Sequence, residues 1–236
     1  MWQANVFTIF PDAFPGNLGV SVIGKALEQK KWHLNLIDLK KFPTGDGPTA
    51  DRIDSAPCGG GAGMILSPVA FEKAFNTLSE EEKKWKKVYF SPRGRQMTQS
   101  DLLDLAGRSG VTMLCGRYEG VDQRITDFYE MEEISVGDFV LLGGEVAAMM
   151  IIEGCVRLLP KVIGNSDSIA DDSFQNHLLE HDQYTKPNVF NGLSVPEVLL
   201  SGNHQKIHEF RLQQSHEITR RRRPDLWMKY VEKMIR

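Results

Sequence analysis

The stretch that decides the fold is VTMLCGRYEG, residues 111–120. Its first five residues are a short apolar and β-branched run, and Gly116 and Gly120 then punctuate a turn. That pattern reads as a buried strand running into a loop. Upstream, Thr98 to Arg108 has helical spacing, with Leu102, Leu103 and Ala106 on one face, and Val88–Ser91 before it is another short strand. Further out, Asn5–Phe10 and His33–Leu39 are rich in β formers, with helical spacing over Val20–Lys31 between them. Ser67-Pro68 is an N-cap with proline at the first helical position, opening a helix to about Leu78. Downstream, Glu132–Val136 and Phe139–Leu142 are strand candidates, and Glu145–Leu158 reads as a buried helix. Strands alternating with helices predict an α/β domain over residues 1–160 with a mainly parallel sheet.

After Pro160 the character changes. Residues 161–172 are polar and read as a linker, and residues 173–236 lack any strand pattern and predict a small all-α domain. Ser194-Val195-Pro196-Glu197 opens one helix there, and Gly202-Asn203 separates it from long amphipathic segments.

Composition narrows the function. The 236 residues are 41% hydrophobic and 25% charged, which excludes collagen-like and wholly disordered chains. The N-terminal MWQANVFTIFPD lacks a basic region, so no secretory signal is expected, and charges interrupt the apolar stretch 139–159. Three cysteines, Cys58, Cys115 and Cys155, form neither a disulfide framework nor a zinc spacing, which favours a reducing cytoplasmic location and buried thiols. The net charge of −3 is uneven: residues 203–236 carry +5 and the remainder −8. A basic end of this kind suits a polyanion, although a solvated helical face has the same composition.

Three glycine-rich segments, 58–63, 115–120 and 136–145, each adjoin a predicted strand end. Loops at the carboxyl ends of parallel strands are where α/β sheets bind small ligands. None matches GxGxxG after the first strand or GxxxxGK[ST], so a Rossmann site and a P-loop are both unsupported. Together the three loops predict one composite pocket recognised largely by backbone groups.

GRYEGVDQRI (116–125) and VGDFVLLGGE (136–145) stand in order along the chain with SPRGR (91–95), RLLP (157–160), DDSF (171–174), QYTKP (183–187) and VPEVLLSGNH (195–204). In these motifs the chain resembles the bacterial tRNA (guanine-N1)-methyltransferases of the TrmD family. It departs from the family's usual residues at Cys58, Ala62, Leu142, Val146, Ala147 and Lys161. The resemblance implies a SPOUT-type fold with a trefoil knot, a homodimer with a shared site, S-adenosylmethionine as methyl donor, magnesium assistance and tRNA as substrate. By motif, Gly116, Val136, Gly137, Asp138, Phe139, Val140 and Leu141 would line the donor pocket, with Tyr89, Phe90, Ser91, Tyr118, Gly143 and Gly144 beside them.

The chemistry of such a reaction specifies its residues. N1 of guanine is protonated at neutral pH, so a base must remove that proton and a donor must answer the charge developing on O6. By motif Asp172 is the base and Arg157 the donor; on chemistry alone Asp171 competes with Asp172, and a helix cap is the other reading of either. Gly59 and Ser173 are implied substrate contacts, and Lys206, Arg211 and Arg220–Arg223 would meet RNA phosphates. His177/His181 and His204/His208 have the i, i+4 spacing of two ligands on one helical face, but lack HExxH and a third ligand, so no metal site is assigned. Trp227 and Tyr230 read as core at helical spacing. A knotted methyltransferase acting on a ribose hydroxyl and a non-catalytic RNA-binding module remain the alternatives.

Overall fold

The computed structural model describes residues 1–44, 52–164 and 172–235. The chain divides into two compact units, Met1–Gly164 and Asn165–Arg236. Most of the predicted linker, residues 165–171, lies outside the described residues.

The first unit is built on a sheet of β1 (Trp2–Thr8), β2 (Trp32–Asp38), β5 (Lys86–Gln96), β6 (Gly110–Leu114) and β7 (Glu132–Ser135), with a separate short pair, β3 (Asp54–Ser55) and β4 (Ile65–Leu66). The sheet order is β2-β1-β6-β5-β7, and every neighbouring pair is parallel. The expected α/β domain with a mainly parallel sheet is therefore present. Period-two alternation sends side chains to two cores. Trp2, Ala4 and Val6 enter one and Phe7 and Ile9 the other. The first core is covered by α1 (Ser21–Glu28), α3 (Gln99–Ala106) and α5 (Glu145–Arg157), the second by α2 (Pro68–Phe75) and α4 (Gln123–Phe128). Two tryptophans fasten helices to the sheet: the Trp2 indole donates to the Leu105 carbonyl at 3.0 Å and that of Trp32 to the Ile23 carbonyl at 3.1 Å. Each buried ring thus contributes apolar area without leaving its N–H unsatisfied.

Helix starts follow the local chemistry. The Ser67 hydroxyl accepts from the Val69 N–H with Pro68 in the first turn, and Thr98 and Asp101 form a reciprocal capping box. The face of α3 is shifted from expectation: Leu105 is the buried residue, Leu102 and Ala106 pack beside it, and Leu103 faces out. The predicted strand at Phe139–Leu142 is also corrected. These residues form an irregular loop with Val140 82% and Leu142 91% exposed, and no described strand pairs with them. An apolar run alone does not supply a neighbour to pair with. On β5, Phe90 and Arg95 both stand opposite Ile134, so Ser91–Gly94 leave the ladder as a bulge at the sheet's carboxyl edge.

In the second unit the long helices are His204–Arg222 and Pro224–Ile235, with a short helix Glu197–Leu200 before them. Asn203 caps the first, its side chain accepting from the Lys206 N–H at 3.1 Å. His216, Trp227 and Tyr230 join the two long helices: the Trp227 and Tyr230 rings stack at 5.4 Å, and His216 Nε2 is 2.9 Å from the Tyr230 hydroxyl. The unit is not all-α, however. Val189–Phe190 pairs antiparallel with Leu193–Ser194 around Asn191 and Gly192, both at positive φ. Asn-Gly is the signal for such a turn, but strands of two exposed residues show no alternation to read.

Candidate functional site

The carboxyl ends of β5, β6 and β7 open into one cleft of about 910 Å³. Tyr89, Phe90 and Ser91 line it from β5 and its bulge, and Gly116 and Tyr118 from the loop after β6. Val136, Gly137, Phe139, Val140, Leu141, Gly143 and Gly144 line it from the loop after β7. Of the residues expected around a donor, Asp138 is the exception: it lies exposed on the same loop without lining the cleft. Gly59 is likewise outside the lining, although its neighbours Pro57 and Cys58 belong to it.

Close backbone approach explains the glycines. A β-carbon on Gly144 would stand 2.8 Å from the Cys115 Cα, so the start of α5 can lie against the end of β6 only without a side chain there. The Gly144 N–H donates to the Gly116 carbonyl at 3.1 Å, and Arg117 and Gly143 form an isolated antiparallel bridge. In the third loop Gly59, Gly60, Gly61 and Gly63 all adopt positive φ, and Gly63 abuts the Glu119 side chain. The glycine turns after β6 and β7 are therefore also the cleft wall, whereas Gly59–Gly63 lie outside its lining.

Sequence reasoning missed a polar link behind this wall. Glu145, read only as a charge interrupting an apolar stretch, is 2% exposed. It accepts from the Thr8 hydroxyl at 2.7 Å and from the Arg117 Nε at 3.0 Å. A carboxylate at the first position of a helix whose next seven residues are all apolar was the available signal.

Burial also sets the thiols and phenol. Burial raises the Tyr89 hydroxyl, with the Glu133 carboxylate adding to the effect. Burial pushes Cys155 up to about 12 and raises Cys115, the latter also beside Glu145. Both stay protonated at neutral pH, as expected of core cysteines, but Cys58 is exposed and corrects that expectation.

The other implied residues fall on both units. Arg157 is the last residue of α5 and is half-buried. In the second unit Asp172 is half-buried, and the Ser173 hydroxyl accepts from the Glu180 N–H at 3.0 Å rather than capping a regular helix. Lys206, Arg211 and Arg220–Arg222 are exposed on the helix His204–Arg222. Arg223 instead turns to Asp225 at 2.6 Å, whose carboxyl the guanidinium holds at about 2. His204 and His208 share that helix, but His177 and His181 do not share one, which removes the spacing argument for that pair. Among the described residues no group of three or more His, Cys, Asp and Glu could hold a metal, and no helix is long and apolar enough to cross a membrane.

A parallel sheet whose glycine loops converge on one cleft at its carboxyl edge defines a ligand-binding α/β domain. The chain belongs to the tRNA (Guanine-1)-methyltransferase TrmD family, whose model matches residues 2–229. It is 49% identical to the tRNA (guanine-N(1)-)-methyltransferase of Ruegeria pomeroyi over 98% of this chain and 94% of that protein. It is 48% identical to the proteins of that name from Roseobacter denitrificans, over 96% and 93%, and from Ehrlichia ruminantium (strain Gardel), over 96% and 95%.

Proposed function

We propose that the protein transfers a methyl group from S-adenosylmethionine to N1 of guanosine 37 in tRNA, beside the anticodon. The observation that carries this reading is the glycine-walled cleft in a chain of this family. The cleft fits the donor: it is large enough for a nucleoside with an amino-acid tail, its Phe90, Val136 and Leu141 surfaces suit a purine face, and its close-packed backbone offers N–H and C=O groups. Tyr89, Phe90, Ser91, Gly116, Tyr118, Val136, Gly137, Phe139, Val140, Leu141, Gly143 and Gly144 hold it there, with Asp138 at the edge. When bound, S-adenosylmethionine supplies a methyl group activated by its positive sulfonium.

The protein's own residues prepare the guanine. Asp172 accepts the N1 proton, and Arg157, with several donors on one plane, donates to O6 as negative charge builds there. Gly59 and Ser173 lie against the substrate nucleotide. Lys206, Arg211, Arg220 and Arg221 contact phosphates, which fixes the position of the RNA without reading its sequence. Magnesium, when present, would be held by RNA phosphates and counter their charge, since no described residues group into a metal site.

The enzyme works in the cytoplasm as a homodimer, with residues 1–160 binding the donor and residues 173–236 reaching the partner's cleft. An apolar surface of Val140, Leu142, Val146 and Met150, each about half exposed or more, supports a partner copy on the first unit. The fold is a trefoil knot of the SPOUT type. The return of the chain from β7, at the sheet's edge, past β5 to the loop after β6 supports that threading. The deciding experiment is radiolabelled methyl transfer to tRNA transcripts followed by nucleoside analysis. N1-methylguanosine formed on a transcript with G37, and not on one with A37, is the expected result; label in a ribose or in no nucleoside would overturn the reading.

A further inference from the structure

The buried carboxylate of Glu145 needs a reason. A charged group taken from water is costly unless its oxygens are paired. Here Oε1 accepts from the Thr8 hydroxyl at 2.7 Å, while Oε2 accepts from Arg117 through Nε at 3.0 Å and Nη2 at 2.9 Å. Glu145 is also the first residue of α5, where the positive end of the helix dipole favours a carboxylate. The Arg117 guanidinium is fixed from another side by the Phe10 ring, 4.5 Å away.

These partners come from three different strand ends. Thr8 closes β1, Arg117 belongs to the loop after β6, and Glu145 follows the loop after β7. The approach is tight, since a β-carbon on Gly143 would stand 2.2 Å from the Arg117 Nε. Gly116, Arg117, Gly143 and Gly144 all line the cleft. The ion pair therefore sits behind two facing segments of its wall.

We infer that Arg117 and Glu145 are positioning residues, whose forked ion pair sets the spacing of the two wall segments and thereby the affinity for the methyl donor. The inference rests on the donor reading above. Arginine suits the task because two donors on one rigid plane fix orientation as well as distance, which an ammonium does not.

The test uses the full chain with Arg117→Met, Arg117→Lys, Glu145→Gln and the double variant Arg117→Met/Glu145→Gln, titrated calorimetrically with S-adenosylmethionine. Arg117→Met alone strands a buried carboxylate and can unfold the chain; the double variant removes both charges and keeps the test open. Each folded single variant, lysine included, is expected to weaken donor binding about 10–100-fold, by analogy with the outer partners that orient metal-binding side chains. The double variant should lose no more than the worse single one, because the pair acts as a unit. In steady state the donor KM should rise while kcat at saturating donor and the KM for tRNA hold, a split that general loosening of the fold would not give. A folded double variant that binds donor like the unchanged protein overturns the inference, as does one that cannot fold, which makes the pair a requirement of folding alone. An unchanged protein that binds no donor overturns the donor reading itself.

Discussion

The ring of Tyr89 lies so close to Gly116 that a β-carbon on the glycine would stand 2.9 Å from Cε2 and 3.1 Å from the hydroxyl. Tyr89 is the last residue of β5 paired with β6 and is 7% exposed, so it has little room to retreat. Gly116→Ala should therefore displace the ring or the loop, at about 1–3 kcal/mol, the usual cost of overpacking. Since both residues line the cleft, calorimetry should show weaker binding of S-adenosylmethionine together with a lower melting temperature. Wild-type donor affinity in this variant would separate this close packing from the site.

Asp172→Asn should bind S-adenosylmethionine and tRNA normally yet lose methyl transfer by about 10²–10⁴-fold, the usual contribution of a positioned general base. Single-turnover transfer at saturating donor is the measurement. Near-normal turnover would leave proton removal to another group, Asp171 first.

Arg157→Ala should lose activity as a homodimer. Mixed with a subunit crippled at Gly116, and with exchange confirmed by native mass spectrometry, it should regain part of it if Arg157 and the donor pocket of one site come from different subunits. A stable, fully active monomer in sedimentation would end the shared-site reading.

Arg220 and Arg221 are exposed in the last turn of the helix His204–Arg222, whereas Arg223 is engaged with Asp225. Replacing the first two by alanine should weaken all tRNAs alike and flatten the plot of log K against log salt. The slope should fall by somewhat under about one unit for each phosphate that no longer meets a guanidinium. Donor affinity should hold. An unchanged slope would make these arginines ordinary solvated surface.

Acid should loosen α3 at its start. The Arg95 guanidinium, with help from Thr98, pulls the Asp101 carboxyl from the ordinary 3.8 down to about 2. A carboxyl depressed on folding stabilises the protein above its unfolded pKa, and that contribution disappears as pH falls through the folded value. Asp101→Asn should cost about 1 kcal/mol in denaturant unfolding at neutral pH, the usual size of a capping interaction. The difference should shrink as pH falls from about 4 towards 2. A pH-independent difference would assign the loss to packing.

The sequence by itself determined the alternation of strands and helices, the ends of most elements and the glycine positions, because these depend on local chemistry. Ser67-Pro68 and the Thr98–Asp101 box start their helices wherever the chain goes. Periodicity told buried from exposed along single elements, and the joint motifs identified the family. Tertiary structure decided what depends on neighbours. Phe139–Leu142 has the residues of a strand and becomes a cleft loop, since no described strand lies alongside to pair with it. The hairpin at Asn191-Gly192 forms with strands too short to leave a pattern. Thr8, Arg117 and Glu145 are far apart in sequence, and no spacing rule links them. They meet because parallel strands bring their carboxyl ends to one edge of the sheet, where a buried carboxylate must find partners.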